Sequence, residues 1–253
     1  MSKPKSVITV WIRLRTIKKL LFGMCLLIIF VAIVTYEIPT EKTTKYWSLP
    51  LAGKVIVLDA GHGGVDGGAV SRQGVIEKDI NLAITLYLRD YLQEAGAVVK
   101  MTREGDYDLA SPDTKGYSKR KTEDLKQRVK RIEDQQPYLF LSVHMNSIPS
   151  NRWRGAQVFY YPNHPDNANL ATLMQEEMKR NLENTDRIAK TVNTVYLLKA
   201  LKIPAALVEV GFLSHADEAM LLKDVGYQRK VAASIYKGIL RYTSGEKSKM
   251  SSE

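Results

Sequence analysis

Val55-Ile56-Val57-Leu58-Asp59-Ala60-Gly61-His62-Gly63-Gly64 is the stretch on which the reading of this 253-residue chain turns. A short apolar run reads as a buried strand, and it ends in a glycine-dense turn that carries one histidine. Glycines let a backbone bend sharply and let other groups come close. A histidine at the end of such a strand faces an open pocket rather than a packed wall. The pattern returns in Leu139-Phe140-Leu141-Ser142-Val143-His144 and in Ala206-Leu207-Val208-Glu209-Val210-Gly211. Three strands thus deliver His, His and Glu to equivalent positions, and Glu77 follows just after the first turn.

Outward from these strands, helical and strand-like runs alternate. Residues 54–59 form the first strand. Ile80, Ala83, Ile84, Tyr87, Leu88 and Tyr91 follow at helical spacing, and Gly96 stops that helix. Residues 97–102 read as a second strand and residues 104–118 as a long loop. Loops of that length in compact domains are commonly functional, so this one is expected to border a substrate groove. A charged helix buries Leu125, Val129 and Ile132. Strands at 138–143 and 156–161, a helix at 166–181, short strands near 194–198 and 205–210, and a closing helix at 226–242 complete the folded domain, residues 54–242. The fold class is α/β, with a single twisted, mostly parallel sheet and helices on both faces. In such sheets ligands collect at the carboxyl ends of the strands, where His62, His144 and Glu209 stand.

The N-terminal end has a different character. Residues 1–19 hold Lys3, Lys5, Arg13, Arg15, Lys18 and Lys19 and no acid, and residues 20–36 are almost wholly apolar. This reads as a cytoplasmic basic segment ahead of a transmembrane anchor or signal peptide, with everything after it on the outer face. No A-x-A pattern follows, so an uncleaved anchor is expected. Residues 37–53 read as a stalk and residues 243–253 as a disordered tail. The formal charge is +10, and six of those charges lie in the basic segment. The domain itself is only mildly basic and has no basic stretch interleaved with aromatics, which excludes a nucleic-acid partner. Cys25 is the only cysteine and lies in the apolar segment, which excludes an intrachain disulfide and a cysteine-rich metal site.

A hydrolytic zinc site takes three protein ligands from His and Asp/Glu and leaves a position for water. A further carboxylate near the metal serves as proton carrier. Two histidines and two glutamates meet that requirement. Each has a plainer role when taken singly. His62 suits a turn, His144 a satisfied core position, and Glu77 the positive end of a helix dipole. Glu209 is harder to dismiss, because a buried carboxylate without a partner is costly.

Several separated segments resemble the zinc-dependent N-acetylmuramoyl-L-alanine amidases of the amidase-3 type. They are Leu58-Asp59-Ala60-Gly61-His62-Gly63-Gly64 with Asp66 and Gly68-Ala69, Glu77-Lys78-Asp79-Ile80-Asn81-Leu82, Thr102-Arg103 before Asp106, and Leu125 with Arg128. Ser142-Val143-His144-Met145-Asn146-Ser147 and Val208-Glu209-Val210-Gly211-Phe212-Leu213-Ser214 complete the set, in the family's order. The resemblance implies one Zn2+ per chain on His62, Glu77 and His144, with Glu209 as the catalytic carboxylate. It implies cleavage of the amide between the muramic acid lactyl group and L-alanine in peptidoglycan, so that the partner is a glycan strand with its stem peptide. After Phe212-Leu213-Ser214 the family usually has Asn where this chain has His215. Asn146 and His215 are therefore assigned to substrate contact or to support of the site. His164 reads as part of a surface turn.

The layout, a membrane segment followed directly by the domain, resembles the germination amidases of endospore formers. That resemblance implies action in the spore envelope, in muramic δ-lactam formation in the cortex, with a deacetylase or a regulatory lipoprotein as partner. Two other readings compete: a catalytically silent binding or activator module on the same fold, and a zinc peptidase acting within the stem peptide. A silent module would be expected to have lost a ligand or the base, and none is lost.

Overall fold

The computed structural model describes residues 13–36 and 49–248. Most of the basic segment, most of the stalk and the last five residues of the tail lie outside that range. The chain divides into two units, Met1–Ser48 and Leu49–Glu253. In the first, α1 (Leu14–Thr35) has 22 residues, none of them buried. At 1.5 Å per residue it extends about 33 Å, long and apolar enough to cross a membrane. The helix starts six residues ahead of the expected apolar segment and takes in Arg15, Lys18 and Lys19.

The second unit is built on one six-stranded sheet. In chain order its elements are β1 (Val55–Ala60), α2 (Glu77–Glu94), β2 (Val98–Met101), α3 (Tyr117–Glu133), β3 (Leu139–Asn146), β4 (Gln157–Tyr160), α4 (Asn167–Leu182) and β5 (Lys190–Thr191). Then come α5 (Tyr196–Ala200), β6 (Ala205–Phe212), α6 (Ala216–Lys223) and α7 (Val225–Thr243). The spatial order is β2-β1-β3-β6-β4-β5. Every pairing is parallel except that of β4 with β6. The strands that carry the His–His–Glu pattern are thus immediate neighbours.

Alternation along these strands divides two cores. Ile56, Leu58, Leu139, Leu141, Val143, Ala206, Val208 and Val210 join the larger cluster, under α2, α4 and α7. Val57, Phe140, Ala205 and Leu207 point the other way, into a cluster with Ile132 of α3 and Leu197 and Leu198 of α5. A period of two with both sets apolar marks strands covered on both faces.

One local expectation fails, and one helix goes unanticipated. Residues 194–198 are not a strand. The edge strand is only Lys190–Thr191, and Tyr196–Ala200 is helical. Leu197 and Leu198 are both buried in the same cluster; a strand would send them to opposite faces, whereas a helical turn turns both inward. Helix α6 was not expected. It starts at His215, whose Nδ1 accepts from the Glu218 N–H at 3.3 Å, while the Glu218 carboxylate accepts from the N–H groups of Phe212 and Gly155, each at 2.8 Å.

Beneath the first turn lies a buried ionic network. The Arg128 guanidinium donates to Asp59 at 2.6 Å, and Thr102 and Ser142 hydroxyls donate to the same carboxylate at 2.6 Å. Burial alone would raise the Asp59 pKa, but Arg128, the nearby His144 and the two hydroxyls hold it down at about 2, against an ordinary 3.8. A depressed carboxylate stabilises the fold fully above its unfolded value, and that contribution disappears as pH falls through about 2. Asp59→Asn leaves the buried Arg128 guanidinium with one carboxylate among the described residues, that of Asp124 at 2.8 Å, and is expected to cost about 3 kcal/mol at pH 6. Its deficit against the parent should narrow by about 1 kcal/mol at pH 3, where the parent has begun to lose this contribution. Urea melts at the two pH values check this, and an unchanged deficit would deny the charge its role.

Candidate metal centre

The turn after β1 is shaped by what surrounds it. Arg103 donates to the carbonyls of Ala60 and Gly61 at 2.8 and 3.0 Å, and Arg128 donates to the carbonyl of His62 at 2.7 Å. Both guanidiniums are buried. So held, His62 adopts φ 64, a left-handed conformation unusual for a residue with a Cβ. The loop from 104 closes over this turn. Asp106 accepts from the Gly64 N–H at 2.9 Å and from Lys78 at 2.7 Å.

Three side chains converge above it. Glu77 opens α2 and is buried. Its Oε1 lies 3.2 Å from His62 Nε2 and 3.2 Å from His144 Nδ1, and it accepts from the Met145 N–H at 3.0 Å. Its Oε2 accepts from the Ala69 N–H at 2.8 Å. One ligand atom from each of His62, Glu77 and His144 can be chosen so that all lie within 4.8 Å of one another. Two glycines make room. A Cβ at Gly61 would stand 2.3 Å from the His144 ring, and one at Gly68 would stand 2.6 Å from Glu77 Oε2 and 2.8 Å from His62 Cδ2.

Glu209 faces the same space from β6, directly across the ladder from His144. Its Oε2 is shielded from solvent and has no hydrogen-bond partner among the described residues. Burial pushes its pKa up to about 7; the His144 and His62 charges pull it down and the Glu77 charge pushes it up. Burial opposes a charge on His62, yet Asp66 and Glu77 outweigh it and raise its pKa to about 9. Burial also works against the charged form of Glu77, but His144 and His62 lower its pKa well below the carboxylate range.

These observations fit a metal. Two imidazoles and a carboxylate form a donor set suited to zinc, and two glycines leave the space that lets them meet. Glu77 Oε1 stands between the two imidazoles, 3.2 Å from a ring nitrogen of each.

All four residues of the expected constellation come together. Asn146 and His215 do not join them as contacts. Asn146 follows a register shift in β3, and its carbonyl accepts from the Leu213 N–H at 2.8 Å. His215 caps α6. His164 accepts from the Asp166 N–H at 3.2 Å within its turn. Two neighbours had no role assigned from the sequence. Asp66 Oδ2 lies 2.9 Å from His62 Nδ1, and Asp66 is itself held by Lys121 and Tyr117. A carboxylate behind a ligating imidazole fixes its tautomer and orientation. Asn81, one helical turn beyond Glu77, donates to the Gly61 carbonyl at 3.3 Å and to Glu77 Oε1 at 3.4 Å. For Asn81 the i to i+4 spacing from Glu77 on one helix was the signal available in the sequence; the His62–Asp66 contact is made in a turn and had none.

Comparison with known proteins gives concordant results. The Amidase_3 family profile, N-acetylmuramoyl-L-alanine amidase, matches residues 56–241. A germination-specific N-acetylmuramoyl-L-alanine amidase of Bacillus subtilis (strain 168) is 54% identical over 215 residues, 85% of this chain and 90% of that protein. The CwlD amidase from Clostridioides difficile, solved in complex with the GerS lipoprotein, aligns with a TM-score of 0.74 at 41% identity, covering 76% of this chain and 100% of that one. The catalytic domain of CwlV, an N-acetylmuramoyl-L-alanine amidase from Bacillus (Paenibacillus) polymyxa var. colistinus, aligns with a TM-score of 0.64 at 33% identity, covering 76% and 98%.

Proposed function

Since the chain belongs to the N-acetylmuramoyl-L-alanine amidase family, we propose that it cleaves the lactyl–alanine amide of peptidoglycan with one zinc ion held by His62, Glu77 and His144 and with Glu209 as proton carrier. Zinc in such a site acidifies a water and polarises the scissile carbonyl. Glu209 takes a proton from the attacking water and returns it to the departing alanine nitrogen. Burial, which raises the Glu209 carboxyl above the ordinary carboxylate range, suits a group that must both accept and donate a proton. Asp66 and Asn81 are positioning residues: the first orients His62, the second ties Glu77 to the Gly61 turn. Asn146 and the loop from 104 are assigned to the substrate groove, Asn146 because its side-chain amide makes no hydrogen bond among the described residues.

The observation that carries this reading is the convergence of His62, Glu77 and His144, with the unpartnered Glu209 Oε2 beside them. The zinc-loaded protein is expected to release stem peptides with N-terminal alanine from peptidoglycan. Chelation should abolish the release and zinc should restore it, with mass spectra of the products as the readout. Cuts within the stem peptide would replace this reading with the peptidase one.

The relatives support a wider role. We assign the chain to the spore envelope, with α1 as membrane anchor, and to cortex maturation and germination, on the strength of the germination-specific relative. Stripping the stem peptide leaves the muramic carboxyl free, and deacetylation of the sugar then allows the δ-lactam to close. A regulatory lipoprotein partner is proposed because the C. difficile relative was solved with one.

A further inference from the structure

A groove of about 370 Å³ has walls drawn from three segments that adjoin Glu77, His144 and Glu209 along the chain. The hairpin ahead of Glu77 brings Arg72, the loop after His144 brings Ser147, Ser150 and Asn151, and the turn after Glu209 brings Ser214. No carboxylate lines it. Four other cations of the surrounding segments are engaged. Lys78 pairs with Asp106, Lys121 with Asp66, Arg120 with Asp108 and Arg128 with Asp59. Arg72 differs from them. It is exposed, and its guanidinium has no hydrogen bond or ion pair among the described residues. Asp217 lines the adjoining pocket of about 190 Å³, which Arg72 shares, yet forms no ion pair with it.

The chemistry of the substrate says what such a cation meets. This step rests on the amidase reading above. The lactyl carboxyl is consumed in the scissile amide, and N-acetylated sugars carry no charge. The free carboxylates of the substrate therefore belong to the stem peptide. We propose that Arg72 binds a stem-peptide carboxylate, so that the peptide side of the scissile amide lies in this groove. A guanidinium offers a planar fork matched to a carboxylate, and its charge strengthens the hydrogen bonds. The serine hydroxyls and the Asn151 amide of the groove supply neutral partners for the peptide backbone. Arg72 is thus a specificity-determining residue, separate from the groups that move protons or hold metal.

The test uses matched glycan-linked stem peptides, with carboxylates free in one and uniformly converted to carboxamides in the other. The zinc-loaded full-length parent is expected to prefer the free acid by about tenfold in kcat/KM, the preference residing in KM. In Arg72→Gln the preference should fall to about twofold or less, while Arg72→Lys should retain part of it. A parent without preference overturns the assignment, as does an Arg72→Gln variant that keeps it. Product masses separate this outcome from failure of the underlying reading: if neither substrate yields an alanine-terminated peptide, the amidase reading fails first and takes this assignment with it.

Discussion

Glu209→Gln is expected to bind zinc as tightly as the parent and to lower kcat by about 10²–10⁴-fold, the range ascribed to a positioned proton carrier. The substitution preserves volume and leaves His62, Glu77 and His144 untouched, so the metal count should not move. The amide cannot take up a proton, so neither half of the transfer can run through it. The parent's activity should rise with pH as Glu209 ionises and becomes able to accept a proton, with the zinc charge beside it drawing the midpoint below the value of about 7 that burial sets without the metal. That rise should be missing from the residual activity of the variant. Zinc analysis and pH profiles of the two proteins check this. A variant with zinc in full and undiminished kcat removes Glu209 from the mechanism.

Gly68→Ala is expected to weaken zinc binding by about 10–100-fold or more, the scale on which displaced supporting groups act, without touching a ligand. The glycine has φ +69, where an alanine is strained, and the added Cβ would meet Glu77 Cβ at 2.9 Å as well as its Oε2 at 2.6 Å. The far end of a side chain can swing away. Glu77 cannot do so freely, because the N–H groups of Ala69 and Met145 hold its two oxygens. The strain therefore falls on the carboxylate that must meet the metal. Zinc titration of Gly68→Ala beside His62→Ala decides the matter. The two should fail alike, whereas parental affinity in Gly68→Ala would show that the cradle is loose.

The principal residues were legible because each stands where a strong local signal ends. His62 and His144 close apolar runs, Glu209 interrupts one, and the three runs are adjacent strands. The sheet's alternating cores follow from the same runs. What the sequence hid was held by long-range contact. The pairing of Asp59 with Arg128 spans 69 positions and has no local signature. The antiparallel setting of β4 depends on how the chain returns to the sheet. Leu197 and Leu198 carry apolar character without saying whether the backbone beneath them is extended or helical. The orphaned Glu209 oxygen becomes visible only when the neighbouring strands leave it no donor.

The position of β6 between β3 and β4 has a consequence for how the enzyme comes into being. In a chain made from its N-terminus, the first four strands are complete well before residue 209 exists. A nascent chain at that stage owns the two imidazoles proposed to hold metal and lacks the acid proposed to carry protons. The strand that brings the missing acid must slot into the interior of the sheet, and β3 and β4 cannot be joined until it does. On the mechanism proposed above, catalytic competence is thereby tied to the completion of the sheet.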